Sequence, residues 1–178
     1  SELGAVGPAE FIPVAESSGQ ILGMGEWVLR TALAQARQWR DAGHTELVVA
    51  VKLSMGQFSH PGLVDMAGRA LADSEVPPQM LELTEGIAMD APEQVIAIVQ
   101  QLYDLGVQLS IDDFGTGYSS FSYIQRLKVH KLKIDQSFVR HLGDDPSAPH
   151  IVRAIIGLAQ SLVLETIAEG VEMAAQSD

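Results

Sequence analysis

The sequence contains no cysteine among its 178 residues, and this absence limits the kinds of site it can build. Without thiols it can form neither a disulfide framework nor a thiolate metal site. Any metal ion must therefore be held by oxygen or imidazole ligands, which favours hard divalent cations.

Basic residues are also scarce. Lysine and arginine together number 11, against 23 aspartates and glutamates, and the formal net charge is −12. A chain with this balance lacks the broad basic surface that binds polyanions, so we expect no nucleic-acid partner. Most of the acids are expected to be solvated surface residues, and only those at special positions indicate a function.

Long apolar runs are missing as well. No run approaches the ~18 residues of a membrane-spanning helix, and the start of the chain lacks the basic and apolar regions of a signal peptide. We therefore expect no membrane segment and a cytoplasmic location. With 47% apolar residues, the chain has the size of one domain and can bury a substantial core.

Apolar stretches rich in β-branched residues alternate with amphipathic helical stretches, which is typical of strand–helix units and a parallel sheet. The sequence predicts five strands, over residues 47–53, 80–84, 107–111, 131–134 and 164–168. Their spacing of roughly 30 residues favours a (β/α)8 barrel, with an open doubly wound sheet as the alternative. A complete barrel takes about 250 residues, so we expect an incomplete one.

The helices between the strands follow from the helical period of their apolar residues. In segment 92–105 one face carries Val95, Ile98, Val99 and Leu102. A similar stripe runs through 151–162. A longer helix ends before Gly43, and we expect its Trp27 and Trp39 to be core residues.

Acidic residues lie at the ends of four of the five predicted strands. They are Glu82, Glu85, Asp112, Asp113, Asp135, Glu169 and Glu172. In a barrel the carboxyl ends of the strands form one mouth, so acids far apart in sequence converge there. Several carboxylates would repel one another unless cations lie between them, and oxygen ligands suit Mg²⁺ or Mn²⁺.

The adjacent pair Asp112 and Asp113 can face two different ions. Two metals about 4 Å apart clamp the attacking and leaving oxygens of a phosphate displacement. The alternative for Asp113 is a cap on the following turn. Lys133 lies on the same side of its strand as Asp135, where it either neutralises the acids or orients water and stabilises charge on a phosphate. These residues predict a divalent metal site for cutting a phosphodiester.

Five segments, in order, resemble the bacterial EAL domain family, and they span nearly the whole chain. The segments are residues 11–16, 81–85, 112–120, 133–139 and 168–172. The resemblance implies that residues 1–178 are a partial EAL domain with a TIM-like barrel fold. It also implies a cyclic di-GMP phosphodiesterase, which hydrolyses its substrate to linear pGpG with two Mg²⁺ or Mn²⁺ ions.

The resemblance carries residue roles with it. Glu82 and Asp112 match family metal ligands, and Asp113 and Glu169 match ligands of the second ion. Lys133 matches the lysine near the catalytic water, and Glu169 is also a candidate general base.

Further implications concern the loop after the aspartate pair. Glu85 and Glu172 match acids that support the site and this mobile loop, 113–120. In the family the loop couples metal binding to dimerisation, so the resemblance implies a homodimer. It also implies sensory or diguanylate cyclase domains in the full-length protein.

The sequence departs from the family pattern in three respects. The Glu-Ala-Leu segment would lie before Ser1 and the final strand after Asp178, so we expect the first and last strands to be missing. Lys52 replaces an asparagine that is a metal ligand, and a lysine ammonium has no acceptor for Mg²⁺.

The replacement at Lys52 supports an alternative function. In that hypothesis the Lys52 ammonium partly replaces the charge of the first metal between Glu82 and Asp112. The domain would then bind cyclic di-GMP with little catalysis and signal to a protein partner. If instead Lys52 points aside, a water molecule replaces the missing ligand.

Overall fold

The computed structural model describes residues 4–77, 79–89, 92–117, 121–142 and 147–176. The chain divides into two compact units, Ser1–Pro77 and Pro78–Asp178. In the part of the chain that the structure describes, no helix combines the length and the apolar character needed to cross a membrane.

The N-terminal unit is mostly helical. Its elements are α1 (Pro8–Ser17), α2 (Ile21–Asp41), β1 (Ala50–Lys52), α3 (Met55–Phe58) and α4 (Leu63–Ser74). Helix α2 packs on α4, because both have a buried stripe at helical spacing. The buried residues are Ile21, Gly25, Leu29, Leu33 and Ala36 on α2, and Leu63, Ala67 and Ala70 on α4.

The two tryptophans of α2 were predicted to be core residues, and this prediction is wrong. Trp27 is 68% exposed and Trp39 is 38% exposed. The buried stripe of α2 centres on Leu29 and Leu33. Trp27 precedes Leu29 by two residues, which is about 200° around the helix, so its side chain lies on the opposite face.

The C-terminal unit is an α/β structure. Its elements are β2 (Met80–Thr84), α5 (Glu85–Met89), α6 (Pro92–Asp104), β3 (Gln108–Phe114), α7 (Phe121–Ile124), β4 (Lys131–Ile134), α8 (Gln136–Arg140), α9 (Ala148–Ser161), β5 (Glu165–Ala168) and a 3₁₀ turn (Ala174–Gln176). Strands β2 to β5 pair in sequence order and all are parallel. The parallel sheet and its helices agree with the predicted class.

The sheet of the C-terminal unit has two different faces. The apolar face is almost inaccessible to solvent and consists of Leu81, Leu83, Leu109, Ile111, Leu132 and Ile134. Helix α6 packs on β3, and α9 packs on β4 and β5. Side chains alternate along a strand, so the residues between these leucines and isoleucines point to the other face. That face carries Glu82, Ser110, Asp112, Lys131 and Lys133.

The boundaries of two strands differ from the prediction by more than one residue. The first was predicted over 47–53 and extends only over Ala50–Lys52. The third was predicted to end at Ile111 and continues to Phe114, through the aspartate pair. The acids Asp112 and Asp113 therefore lie within a strand rather than after it.

Candidate active site

A β-bulge in β3 brings the two adjacent aspartates to the same face. Ile111 pairs with Leu132, and the next pair is Phe114 with Ile134, so β3 has one more residue than β4 in this stretch. Asp113 has a φ of 55°, in the left-handed region. The extra residue re-aims the side chain of Asp113, which would otherwise point away from that of Asp112.

The bulge places three carboxylates together. Ligand oxygens of Asp112, Asp113 and Glu169 all lie within 4.8 Å of one another. Asp112 is buried and the other two are half-buried. Three carboxylate oxygens at this spacing fit a hard divalent cation such as Mg²⁺ or Mn²⁺, which binds through oxygen.

Lys133 lies among the same acids. Its Nζ is 3.0 Å from Glu82 Oε1, 2.9 Å from Asp112 Oδ1 and 2.7 Å from Glu169 Oε1. The lysine side chain is 11% exposed, so these ion pairs are shielded from bulk water. Four strands of the sheet thus contribute to a single cluster of charges, because their carboxyl ends meet at one edge.

The charge on Lys133 is stabilised by this setting. Burial opposes the ammonium form, but hydrogen bonds from Nζ to Glu169, Asp112 and Glu82 outweigh it and raise the pKa of Lys133. The lysine is therefore a cation throughout the physiological pH range, and it balances part of the negative charge at the site.

Glu85 holds the segment that follows the aspartate pair. Its side chain is 2% exposed, and its Oε2 accepts hydrogen bonds from the Gly115 N–H at 2.9 Å and the Gly117 N–H at 3.0 Å. A Cβ at Gly117 would lie 3.1 Å from Glu85 Cδ, so the close approach favours glycine there. The hydroxyl of Thr116 donates to the Asp113 carbonyl at 2.8 Å. Residues 118–120 of the predicted mobile loop lie outside the described residues.

Other acids predicted at the strand ends lie in different settings. Asp135 caps α8, since its side chain accepts a hydrogen bond from the Ser137 N–H at 2.9 Å. Glu172 is exposed, and its backbone N–H donates to Gln176 Oε1 at 2.8 Å. Lys52 is the last residue of β1 in the N-terminal unit, and its side chain is exposed. The roles given to Glu172 and Lys52 stay predictions.

A glycine next to the site was not singled out by the sequence analysis. Gly170 follows Glu169 and has a φ of 72°. A Cβ there would lie 2.9 Å from the Cβ of Gln136, at the start of α8. Glycine therefore lets the chain turn closely past α8 directly after Glu169. In the sequence, the glycine directly after a strand-end acid was the signal from which this close turn could have been predicted.

Comparison with known proteins places these features in a family. The family model for the EAL domain matches residues 1–178. The bifunctional diguanylate cyclase/cyclic di-GMP phosphodiesterase MucR of Pseudomonas aeruginosa is 45% identical over 177 residues, which cover 98% of this chain and 26% of that protein. The cyclic di-GMP phosphodiesterase PdeR of Escherichia coli (strain K12) is 40% identical over 175 residues, covering 97% of this chain and 26% of that protein.

A solved structure is similar over most of the chain. The PaMucR phosphodiesterase in its c-di-GMP complex matches with a TM-score of 0.93 and 46% identity, covering 96% of this chain and 70% of that chain. The chain spans about a quarter of the length of the two curated relatives. Its α/β fold is part of a TIM-like barrel, as predicted, and the chain belongs to the EAL domain family.

Proposed function

We propose that this chain is a cyclic di-GMP-specific phosphodiesterase domain that produces linear pGpG. The observation that carries the proposal is the clustering of Asp112, Asp113 and Glu169 around one point, with Lys133 beside them. Relatives that cover nearly the whole chain are named cyclic di-GMP phosphodiesterases. The hydrolysis adds one water to a phosphodiester, forming a new P–O bond and breaking the P–O3′ bond.

The three clustered carboxylates and Glu82 are the proposed ligands of two Mg²⁺ or Mn²⁺ ions. When bound, such ions act as Lewis acids on the phosphate and activate water. We assign the removal of the water proton to Glu169, which is 30% exposed at the side chain and so accessible to water. Lys133 is assigned the stabilisation of charge that develops on the phosphate oxygens.

Glu85 is proposed to support the site by holding the backbone segment that follows the aspartate pair. Its carboxylate fixes the backbone of Gly115 and Gly117, just after the aspartate pair. Holding this segment limits the movement of Asp113 and so preserves the spacing of the ligands. Glu172 is proposed to have a related supporting role.

The test is the hydrolysis of cyclic di-GMP by the purified protein with Mg²⁺ or Mn²⁺, followed by chromatography of pGpG. Glu169→Gln and Asp113→Asn should each lower kcat/KM by at least about 100-fold, since each removes a charge that the reaction needs. Glu165→Gln is the matched control. Glu165 starts the strand that leads to Glu169, is 72% exposed and pairs with Lys131, so its loss should leave the rate nearly unchanged. Equal rates for Glu169→Gln and the control would refute the assignment.

The second candidate function is a catalytically impaired EAL domain that binds cyclic di-GMP and signals to a protein partner. Lys52 favours it, because lysine cannot replace the ligating amide oxygen of an asparagine. Calorimetry with cyclic di-GMP in EDTA and in Mn²⁺ separates the two functions, since a binder of this kind should not need metal. Rapid hydrolysis by the unmodified protein, unchanged by Lys52→Asn, would exclude it.

We also propose the wider setting of the domain. The domain would work as a cytoplasmic homodimer. It would lie within a longer protein that carries sensory or diguanylate cyclase domains, since the name of MucR combines a diguanylate cyclase with a cyclic di-GMP phosphodiesterase. Light scattering with and without Mn²⁺ tests the dimer. A monomer under both conditions would contradict it.

A further inference from the structure

The ammonium of Lys133 has the surroundings of a bound cation. Its Nζ lies 2.7 to 3.0 Å from carboxylate oxygens of Glu82, Asp112 and Glu169, which come from β2, β3 and the end of β5. Both oxygens of Glu82 are 3.0 Å from this nitrogen. The side chains of Glu82 and Asp112 are only 12% and 4% exposed, so the contacts are not ordinary surface ion pairs.

We infer that Lys133 is an internal counter-ion that holds the carboxylates together before a divalent ion binds, and that it competes with the divalent ions for them. The inference rests on the proposed metal site. It concerns what keeps that site assembled and how ions enter it.

Electrostatic repulsion explains the need for an internal cation. Glu82, Asp112, Asp113 and Glu169 bring four carboxylates to one edge of the sheet, and one ammonium balances a quarter of that charge. Without this ammonium, the poorly solvated carboxylates would repel one another more strongly. Lys133 therefore stabilises the metal-free fold.

The same contacts oppose ion binding. Mg²⁺ binds oxygen at about 2.1 Å, which is shorter than an N–O hydrogen bond, so an ion cannot share all its ligands with the ammonium. Lys133 must leave some of its carboxylates as ions enter. Two divalent ions would balance the charge of the four carboxylates without Lys133, and the released ammonium could then turn towards a phosphate. Ion occupancy would thus determine when Lys133 is available to the substrate.

Mn²⁺ binding to metal-free protein, without substrate, tests this inference by calorimetry. Lys133→Met removes the competing cation, so the affinity for at least one Mn²⁺ should rise at least tenfold, about 1.4 kcal/mol. Lys131→Met is the matched control: Lys131 lies two residues earlier on the same strand face, and its 2.7 Å ion pair is with the 72% exposed Glu165. The control should bind Mn²⁺ as the unmodified protein does. An unchanged or weaker affinity in Lys133→Met would overturn the inference.

Thermal unfolding supplies a second readout. In EDTA, Lys133→Met should unfold at a lower temperature than the Lys131→Met control, and Mn²⁺ should raise its Tm by more than it raises that of the unmodified protein. Equal Tm values in EDTA would contradict a counter-ion role.

A third measurement uses the unmodified protein and so remains informative if Lys133→Met does not fold. Acetylation of Lys133 relative to Lys131, read by mass spectrometry, should increase when Mn²⁺ saturates the site, because the ammonium leaves its carboxylates. A constant ratio while calorimetry shows bound Mn²⁺ would overturn the inference.

These outcomes are separable from those of the phosphodiesterase proposal. Release of Lys133 by Mn²⁺ in a protein that does not hydrolyse cyclic di-GMP would support the counter-ion and refute the enzyme. An active enzyme in which Lys133→Met leaves Mn²⁺ affinity unchanged would do the reverse.

Discussion

At the scale of single residues, Asp113 shows how the chain accepts local strain to build its site. A non-glycine residue with φ of 55° costs roughly 1 kcal/mol, although aspartate tolerates this region better than most residues. The conformation belongs to the bulge that turns Asp113 towards Asp112 and Glu169. We interpret the strain as the cost of placing two adjacent carboxylates on one face.

Substitutions at Asp113 should separate strain from ligand chemistry. In metal-free protein, Asp113→Gly should be more stable than Asp113→Ala by about 1 kcal/mol, because glycine adopts positive φ without penalty. Both should lose Mn²⁺ affinity. The control is the same pair at Asp112, whose φ is not positive, and there glycine should be the less stable variant. Urea unfolding measures all four, and the same order at both positions would contradict the argument.

Tyr123 is a buried ionisable residue in the C-terminal unit. It is 7% exposed, and burial raises the pKa of its phenol to about 12 although the nearby Arg126 lowers it. A pKa raised in the folded state stabilises the fold fully below the unfolded value near 10, and this stabilisation is lost as pH rises through 12. The raised pKa of Lys133 acts in the same direction at alkaline pH.

Alkaline unfolding should therefore report on Tyr123. Between pH 10 and 12 the free energy of unfolding should fall, with up to about 2 kcal/mol of the loss due to this phenol. Tyr123→Phe should show a shallower fall over the same range while keeping the part due to Lys133. Urea unfolding across this range measures the slope, and identical slopes for the two proteins would show that the phenol does not contribute.

At the scale of secondary structure elements, the two faces of the sheet in the C-terminal unit differ: one is apolar and stabilises the fold, and the other carries the charged residues of the candidate site. The apolar face includes Leu83 and Ile111, which are inaccessible to solvent. The other face carries the charged cluster and also Ser110, which is 0% exposed and whose Oγ has no hydrogen-bond partner among the described residues. A buried hydroxyl without a partner reduces stability, whereas a hydroxyl that caps a helix adds to it.

Two serine-to-alanine substitutions test this contrast. Ser54 forms a capping box with Gln57 at the start of α3, so Ser54→Ala should cost about 1 kcal/mol. Ser110→Ala should instead be neutral or stabilising by up to about 1 kcal/mol, because it removes an unsatisfied buried group. Urea unfolding of both variants gives the comparison. A cost at Ser110 as large as that at Ser54 would mean that its hydroxyl makes a stabilising interaction.

At the scale of the whole molecule, a formal charge of −12 sets a condition on any anionic ligand. The proposed substrate, cyclic di-GMP, carries two phosphates, so a protein of this charge would hold it through local cations rather than through a general field. Lys133 and the proposed divalent ions would provide such cations.

The same charge predicts discrimination against polymeric nucleic acid. The protein should not bind duplex DNA at physiological salt, because 11 basic residues against 23 acidic ones leave few cations to release counter-ions from the phosphate backbone. Fluorescence anisotropy with labelled duplex, in the presence of Mg²⁺, is the measurement. Binding that weakens steeply as salt is raised would show that a basic surface exists after all.

The sequence by itself determined the class of the fold and the family to which the chain belongs. Apolar strands and helical stripes have periods that depend on local backbone geometry, and they can be read without tertiary contacts. Five ordered motifs identified the family, and the strand-end positions of Glu82, Asp112 and Glu169 pointed to one site. Conversely, the exposure of Trp27 could not be foreseen. The packing partners of a helix decide which of its sides is buried, and the sequence alone does not place those partners.

Only the tertiary structure decided how the charges at the site are arranged. The bulge at Asp113 appears when β3 is aligned with β4, since an extra residue exists only relative to a partner strand. The partners of Lys133 lie on three different strand ends, at 2.7 to 3.0 Å. Ion pairs of this kind depend on distances between segments remote in sequence, and those distances are fixed by the packing of the sheet.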